Sequence, residues 1–266
     1  MEQKILKRLY YHNEFLKKHF KTYSKFYNNI NIQKGGGFSV NYKNNKIDFE
    51  SILEEDRMTI FLSSKNNSDE YCIMIIIDKS NNIAYIEGIT NNKFNNCFDT
   101  PELNKGFSIM EMSIKMLKKY KDKLNINVIQ LKDNSFIYCN NETKIWLSSL
   151  SFLQYNNTFY GRFGFIPKDK DAFTNYKKNQ KIIKNTITSS LKLNKIMDKY
   201  DNKINNEIDI MNYYIKYKDS NIMKWFNKIS HKYLSVDCDF FLYLINYIFQ
   251  ELKLEKFKQE TFIMNV

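Results

Sequence analysis

A chain of 266 residues, 43% of them apolar, is long enough to bury one large core, or a core with an appendage, and is expected to be globular. Its four cysteines (Cys72, Cys97, Cys139, Cys238) stand far apart, with no CxxC pair and no histidine cluster. They indicate neither a metal site nor a disulfide framework, and so point to a reducing, intracellular compartment. The net charge of +12 belongs to the flanks: residues 1–34 carry 8 Lys/Arg against 2 Asp/Glu and residues 168–266 carry 18 against 12, while residues 35–167 balance at 15 and 15. Attraction to an anionic partner would begin on those flanks, although a lysine-rich composition alone also produces solvated faces.

Residues 3–27 place Ile5, Leu9, His12, Leu16, Phe20, Tyr23 and Tyr27 at three- and four-residue spacing, an amphipathic helix with His12 on its apolar stripe. Scattered charges in this segment, and no small-residue cleavage site, argue against a signal peptide. Gly35–Gly37 reads as a turn or hinge that closes the helical region. Five short segments follow, Phe38–Tyr42, Lys46–Ile52, Met58–Leu62, Tyr71–Ile77 and Ile83–Thr90, rich in β-branched and aromatic residues and separated by polar clusters. Consecutive hairpins are the economical reading, with Asp78–Asn82 the clearest turn. Cys72–Ile77 is apolar without alternation and suggests a central strand.

After a loop over 91–104, Met110, Ile114, Met116, Leu117 and Tyr120 repeat at helical spacing from Ser108 to about Lys121, and Val128–Leu131 forms a strand. Asn140 or Asn141 caps a helix expected from about Glu142 to Tyr155. Strand, glycine-led helix and strand make a βαβ unit, so the two strands should be parallel within a mixed α/β sheet. Beyond Pro167 come lysine-rich helical patterns over 175–200, 207–217, 222–233 and 239–257. The apolar run Phe240–Phe249 is about half the length of a membrane span and reads as a buried helix. Three regions result: a basic N-terminal helix (1–34), a mixed-sheet domain (35–167) and a helical extension or second domain (168–266).

The strand Ile83–Thr90, the helix opening Lys105-Gly106-Phe107-Ser108-Ile109-Met110, the strand Leu124–Leu131 and the turn Tyr160-Gly161-Arg162-Phe163-Gly164-Phe165 together resemble the GNAT superfamily of acyl-CoA-dependent N-acetyltransferases. They look closest to the divergent GNAT-like proteins of large DNA viruses. The resemblance spans roughly residues 70–167. It implies a GNAT-like fold, acetyl-CoA as co-substrate, an amine acceptor, and a place in a host cytoplasm or a virion.

Independently of that family, a glycine-led helix start directs unpaired backbone N–H groups and the positive end of the helix dipole at an anion such as a pyrophosphate. The resemblance assigns this role to the amides of Lys105, Gly106, Phe107, Ser108 and Ile109, with the Lys105 ammonium adding charge. Leu103 stands where the family carries Gln or Arg, and Ser108 where it carries a second Gly or Ala. Tyr160 takes the family position of the tyrosine that protonates the leaving thiolate, a phenol of pKa about 10 facing a thiolate of about 8.5–9; it is otherwise a core aromatic like its neighbours. Glu87, on the strand face shared with Tyr85 and Ile89, is the candidate base, with Asp99 and Asp133 as alternatives. Asn134, in the Asp133-Asn134-Ser135 segment after the parallel strand, contacts pantetheine or only makes a turn.

GNAT domains normally finish with a β-hairpin, which the helical pattern after Pro167 does not offer. Two readings therefore stand: an acyl-CoA-dependent N-acetyltransferase, or a non-catalytic binding module. The module would use Lys interleaved with Tyr over 213–218, and with Trp225 and Phe226 over 224–228, to grip phosphates and stack bases of a nucleic acid or to meet an acidic protein. A helix-mediated oligomer is a third, since Phe240–Phe249 has to be covered.

Overall fold

The computed structural model describes residues 34–54, 57–63, 71–89, 97–139, 143–199 and 207–266. The N-terminal helix expected over 3–27, His12 and the Asn140/Asn141 cap lie outside the described residues.

Five strands run in succession: β1 (Lys34–Tyr42), β2 (Asn45–Glu54), β3 (Arg57–Ser63), β4 (Tyr71–Asp78) and β5 (Ile83–Ile89). Each pairs antiparallel with the next. The turn between β4 and β5 is set by Asp78, whose Oδ1 accepts from the Ser80 and Asn81 amides at 3.0 and 3.1 Å, and by Asn82 in the left-handed region. Gly35–Gly37 lies within β1, where the register to β2 shifts between Gly35 and Phe38, so the triplet is a strand irregularity and not the expected hinge. In β4, Cys72, Ile73, Ile75 and Ile77 are fully buried, as a central strand requires.

Helices α1 (Gly106–Lys119) and α2 (Lys121–Leu124) then carry the chain to β6 (Val128–Lys132), which pairs parallel to β5. A parallel pair needs such a crossover. α1 buries Ile109, Met110, Met112, Met116 and Leu117, and at about 1.5–3 kcal/mol for each large side chain this face is a main part of the core. Lysines on its outer side reach back to β1, Lys115 Nζ to the Asn41 carbonyl at 2.7 Å and Lys119 Nζ to that of Ser39 at 2.9 Å.

A two-stranded hairpin follows, β7 (Phe136–Cys139) with β8 (Thr143–Trp146), and α3 (Leu147–Tyr155) begins only after it. The helix expected from Glu142 is thus shorter by its first turn. Phe136 faces Trp146 in the register, with Lys144 over both rings, and this cross-strand cluster holds Thr143–Trp146 extended.

Past β9 (Ile166–Pro167) lie α4 (Lys170–Asn185), α5 (Leu193–Lys199), α6 (Glu207–Tyr217), α7 (Ile222–Tyr233) and α8 (Cys238–Glu251). The single helix expected over 175–200 is interrupted at Thr186–Ser190, where Ile187 bridges to Asn221 and the Asn221 amide donates to the Ile183, Lys184 and Thr186 carbonyls. α7 inserts Trp225, Phe226 and Ile229 as the middle of this bundle and packs on α3.

The chain then returns to the main sheet. β10 (Thr261–Asn265) lies between β6 and β9, antiparallel to both, completing the order β1-β2-β3-β4-β5-β6-β10-β9. The span 168–266, read from sequence as a helical extension, therefore ends in a sheet strand, and the helices are an insertion between β9 and β10. No helix among the described residues is long and apolar enough to cross a membrane.

Cys72 of β4 and Cys97 are joined in a disulfide with their Cα atoms 6.0 Å apart, and Cys238 is disulfide-bonded as well. This corrects the expectation of reduced thiols and removes the ground for inferring a reducing compartment. Spacing along the chain could not reveal it, because the β4–β5 hairpin is what brings the two segments together.

Candidate functional site

The sheet opens where its parallel pair ends. The β5–β6 register runs from Ile83↔Val128 to Ile86↔Leu131 and goes no further, although β5 continues to Ile89. On the other side of β5 the register to β4 slips by one residue at Glu87, between Ile75↔Ile86 and Met74↔Gly88. A bulge bends its strand and increases the twist, which draws β5 away from β6. A cleft of about 580 Å³ runs along this pair and past its ends: Arg57, Ile76 and Asp78 line it at the start of β5, and Glu87, Gly88 and Ile89 face Lys132, Asn134 and Ser135 at the other end, with Tyr160 and with Thr261 from β10. This is the carboxyl end of a parallel pair, where open α/β sheets bind ligands.

Tyr160 begins a single 3₁₀ turn, Tyr160–Phe163, and each glycine of this segment has a steric reason. A Cβ on Gly161 would collide with the Asn157 side chain and the Tyr176 hydroxyl, and the Gly161 amide donates to Thr158 Oγ1 at 3.0 Å. Gly164 takes φ of 96°, which a side chain disfavours. Around the turn, Phe159 and Phe163 pack on Phe107 at ring distances of 6.4 and 4.5 Å, and the Arg162 guanidinium lies over Phe107 and Tyr155. The Tyr160 ring meets Phe165 and Phe262. Burial, reinforced by the negative charge of Asp133, pushes the Tyr160 phenol well above its ordinary pKa, and the Ser135 side chain at its hydroxyl opposes that shift.

Asp133, the residue after β6, is 0% exposed. The Ser135 hydroxyl and amide meet its Oδ1 at 2.5 and 3.0 Å, while Oδ2 has no hydrogen-bond partner. Its backbone is clamped by the segment that leads into β10: the Asp133 amide donates to the Glu260 carbonyl at 2.8 Å and the Gln259 amide to the Asp133 carbonyl at 2.7 Å. Burial raises the Asp133 carboxyl to about 6, against the lowering effect of the Ser135 hydrogen bonds.

Of the residues singled out from sequence, Tyr160, Glu87 and Asn134 line this one cleft. The set Lys105, Gly106, Phe107, Ser108 and Ile109 does not line it; these residues form the start of α1, which touches the Tyr160 turn through Phe107. Within that set the Ser108 hydroxyl donates to the Glu102 carbonyl at 2.8 Å, so its expected donation to a phosphate is already committed. The Ile109 amide is bonded to the Lys105 carbonyl at 3.0 Å. The amides of Gly106, Phe107 and Ser108 remain as the helix's first donors, with no side-chain cap from Lys105. Leu103 is 2% exposed, beneath a loop pinned by Asn104, whose side chain exchanges hydrogen bonds with the Phe98 backbone at 2.7 and 2.8 Å. Core packing thus accounts for an apolar residue at that position.

Sequence reasoning missed the coupling of Tyr160 to Ser135 and Asp133, because nothing in the linear order joins the turn after β6 to the turn after α3. It also missed Thr261, since β10 is short and follows a long helical stretch. Two further expectations change. Trp225 and Phe226, assigned to base stacking, are 0% exposed core residues, whereas Tyr213 and Tyr217 remain half-exposed and stacked on each other, with Lys216 and Lys224 over the Tyr217 ring. In the run Phe240–Phe249 the chain itself covers Phe240, Phe241, Leu244, Ile248 and Phe249, while Leu242, Tyr243 and Tyr247 are half-buried.

No protein-family model, curated protein or solved structure matches this chain.

Proposed function

We propose that the chain is an acyl-CoA-dependent N-acyltransferase of the GNAT type, transferring an acetyl group from acetyl-CoA to an amine. The observation that carries the reading is the cleft at the parted β5–β6 ends, with a bulge at Glu87 on one wall and Tyr160 on the other. Parted parallel strands leave backbone N–H and C=O groups at strand spacing, and an arm bearing amides, as pantetheine does, can satisfy them. The antiparallel β9–β10 pair also supports it, because it supplies the closing hairpin of that family with helices in place of a turn.

In this mechanism the donor lies between the parted strands, with Asn134 beside it and its pyrophosphate toward the open amides of α1 and the exposed Lys105. The acceptor amine attacks the thioester carbonyl, Glu87 takes up the amine proton, and Tyr160 delivers a proton to the departing thiolate.

Titration calorimetry with acetyl-CoA is expected to give a micromolar Kd, and Tyr160→Phe to lower kcat by about 10²-fold with little change in that affinity. Absence of heat with either acetyl-CoA or CoA would sink the proposal. A second reading, a module that grips single-stranded nucleic acid, rests on the Tyr213–Tyr217 stack with its lysines. It requires binding that weakens steeply with salt.

A further inference from the structure

The cleft extends well beyond the groups assigned to the reaction. Its far end lies at the start of β5, where the register places Ile83 opposite Asp78 and Asp78 opposite Arg57. Four residues of strand separate Ile83 from Glu87, about 13 Å at roughly 3.3 Å each. Between the two ends the floor is apolar. Ile76 pairs with Tyr85 across β4 and β5, and both are half-buried, whereas the residues that alternate with them, Ile75, Ile77, Ala84 and Ile86, fill the core. Ile76 and Tyr85 thus belong to the opposite face of the sheet, and neither packs against the core. The charges at the far end are unequally engaged. Asp78 is committed to its own turn, with Oδ1 accepting from the Ser80 and Asn81 amides and Oδ2 from the Asn81 side chain at 2.9 Å. Arg57 is exposed and makes no hydrogen bond or ion pair among the described residues. Its guanidinium is the group there with donors to spare, in a fork that matches a carboxylate or a phosphate. At the reactive end Glu87 faces Lys132, whose like charge disfavours an ammonium and so favours the free amine that attacks.

We propose that the acceptor is a primary amine carried on a long apolar stem that ends in an anionic group. Its amine meets Glu87, its stem lies on Tyr85 and Ile76, and its anion meets Arg57. This inference rests on the acyl-transfer reading and names the substrate class of that site, with Arg57 as the residue that sets specificity. A short amine reaches Glu87 but leaves the floor wet. A stem long enough to cover both side chains takes apolar surface out of water, and each methylene that is fully buried contributes about fourfold in affinity. A diamine of the same length would bring a second cation to Arg57, so the charge of the far end selects between two amines that fit the floor equally well.

The test uses the full chain, with acetyl-CoA as donor and a series of acceptors. These are aminobutyrate, aminooctanoate and aminoundecanoate, each with its amine and carboxylate at opposite ends, and the carboxamide of aminoundecanoate. KM is expected to fall about tenfold or more from the shortest to the longest acid. The carboxamide should have a KM about 2- to 5-fold above that of its acid, the range for an exposed ion pair. Arg57→Gln should raise the KM of aminoundecanoate by the same factor, with the loss in KM and not in kcat, and erase the difference between acid and carboxamide; Arg57→Lys should restore part of it. Acetylation with a KM that ignores chain length, or an Arg57→Gln protein that still prefers the acid, overturns the proposal and leaves the acyl-transfer reading standing. Saturation-transfer NMR without acetyl-CoA reads the floor apart from turnover. The methylene protons of aminoundecanoate should receive magnetisation from the wild type and about half as much or less from Ile76→Asn, and equal transfer, or none from the wild type, overturns the proposal. The expected NMR difference with no acetylation of any acceptor removes the acyl-transfer reading and leaves the binding channel in place.

Discussion

Gly161 shows how tightly the position of Tyr160 is determined. The space its Cβ would occupy is filled by Asn157 and Tyr176, which also bond to each other, so the turn that aims the phenol admits only glycine there. Asp133 is held as firmly, and its enclosure has a measurable cost. Its carboxyl is raised from 3.8 to about 6, so the folded state prefers the neutral form. The sign follows from linkage: below about pH 4 the acid is protonated in both states and costs nothing, and as pH rises toward 6 the unfolded chain ionises first and stability is lost. Asp133→Asn, which keeps an oxygen for Ser135 and removes the charge, should therefore gain on the wild type by about 2 kcal/mol between pH 4 and pH 7. Urea melts across that range provide the check, and a difference between the two proteins that does not vary with pH would contradict it.

Among the elements, the hairpin strands, the βαβ unit and the helices over 207–217 and 222–233 were legible because each carries its periodicity in its own side chains, while the helix expected over 239–257 runs from Cys238 and stops at Glu251. The failures share a cause. Thr143–Trp146 is a strand because Phe136 and Trp146 meet across a hairpin, the break at Thr186–Ser190 depends on Asn221, and β10 is fixed by its slot between β6 and β9. In each case a partner distant in sequence outweighs local pattern. The candidate site divides the same way: Tyr160, Glu87 and Asn134 were readable from the family resemblance, while the Ser135–Asp133 array depends on the segment 259–260 arriving from the far end of the chain. Asn221 gives the clearest test at this level, since it caps α7 through the Met223 amide at 2.9 Å and closes the last carbonyls of α4. Asn221→Ala is expected to cost about 2 kcal/mol, read as a lower urea midpoint with an unchanged slope. A loss below about 0.5 kcal/mol would mean that water replaces the side chain at both helix ends.

For the molecule as a whole, the charge-balanced sheet domain carries the cleft and the helical insertion carries much of the basic charge. The Cys72–Cys97 bond ties β4 to the loop that leads into α1, across a separation of 25 residues. A loop of that length closed in the unfolded chain corresponds to roughly 3 kcal/mol of stabilisation, so Cys72→Ser with Cys97→Ser should lower the unfolding free energy by that order. Chemical denaturation of the double variant against the wild type measures it, and equal midpoints would show that the bond does not constrain the unfolded ensemble. The position of β10 has a consequence in time as well as in space. During synthesis β6 is made before residues 168–260, and the strand that covers its free edge, β10, only after them. Over that interval the edge of β6 is open to a foreign strand, β9 has no partner in the sheet, and the clamp over Asp133 is not yet in place. A helical bundle that folds in this interval brings β10 to β6 at a high local concentration, so the pairing of β10 both covers that edge and completes the cleft.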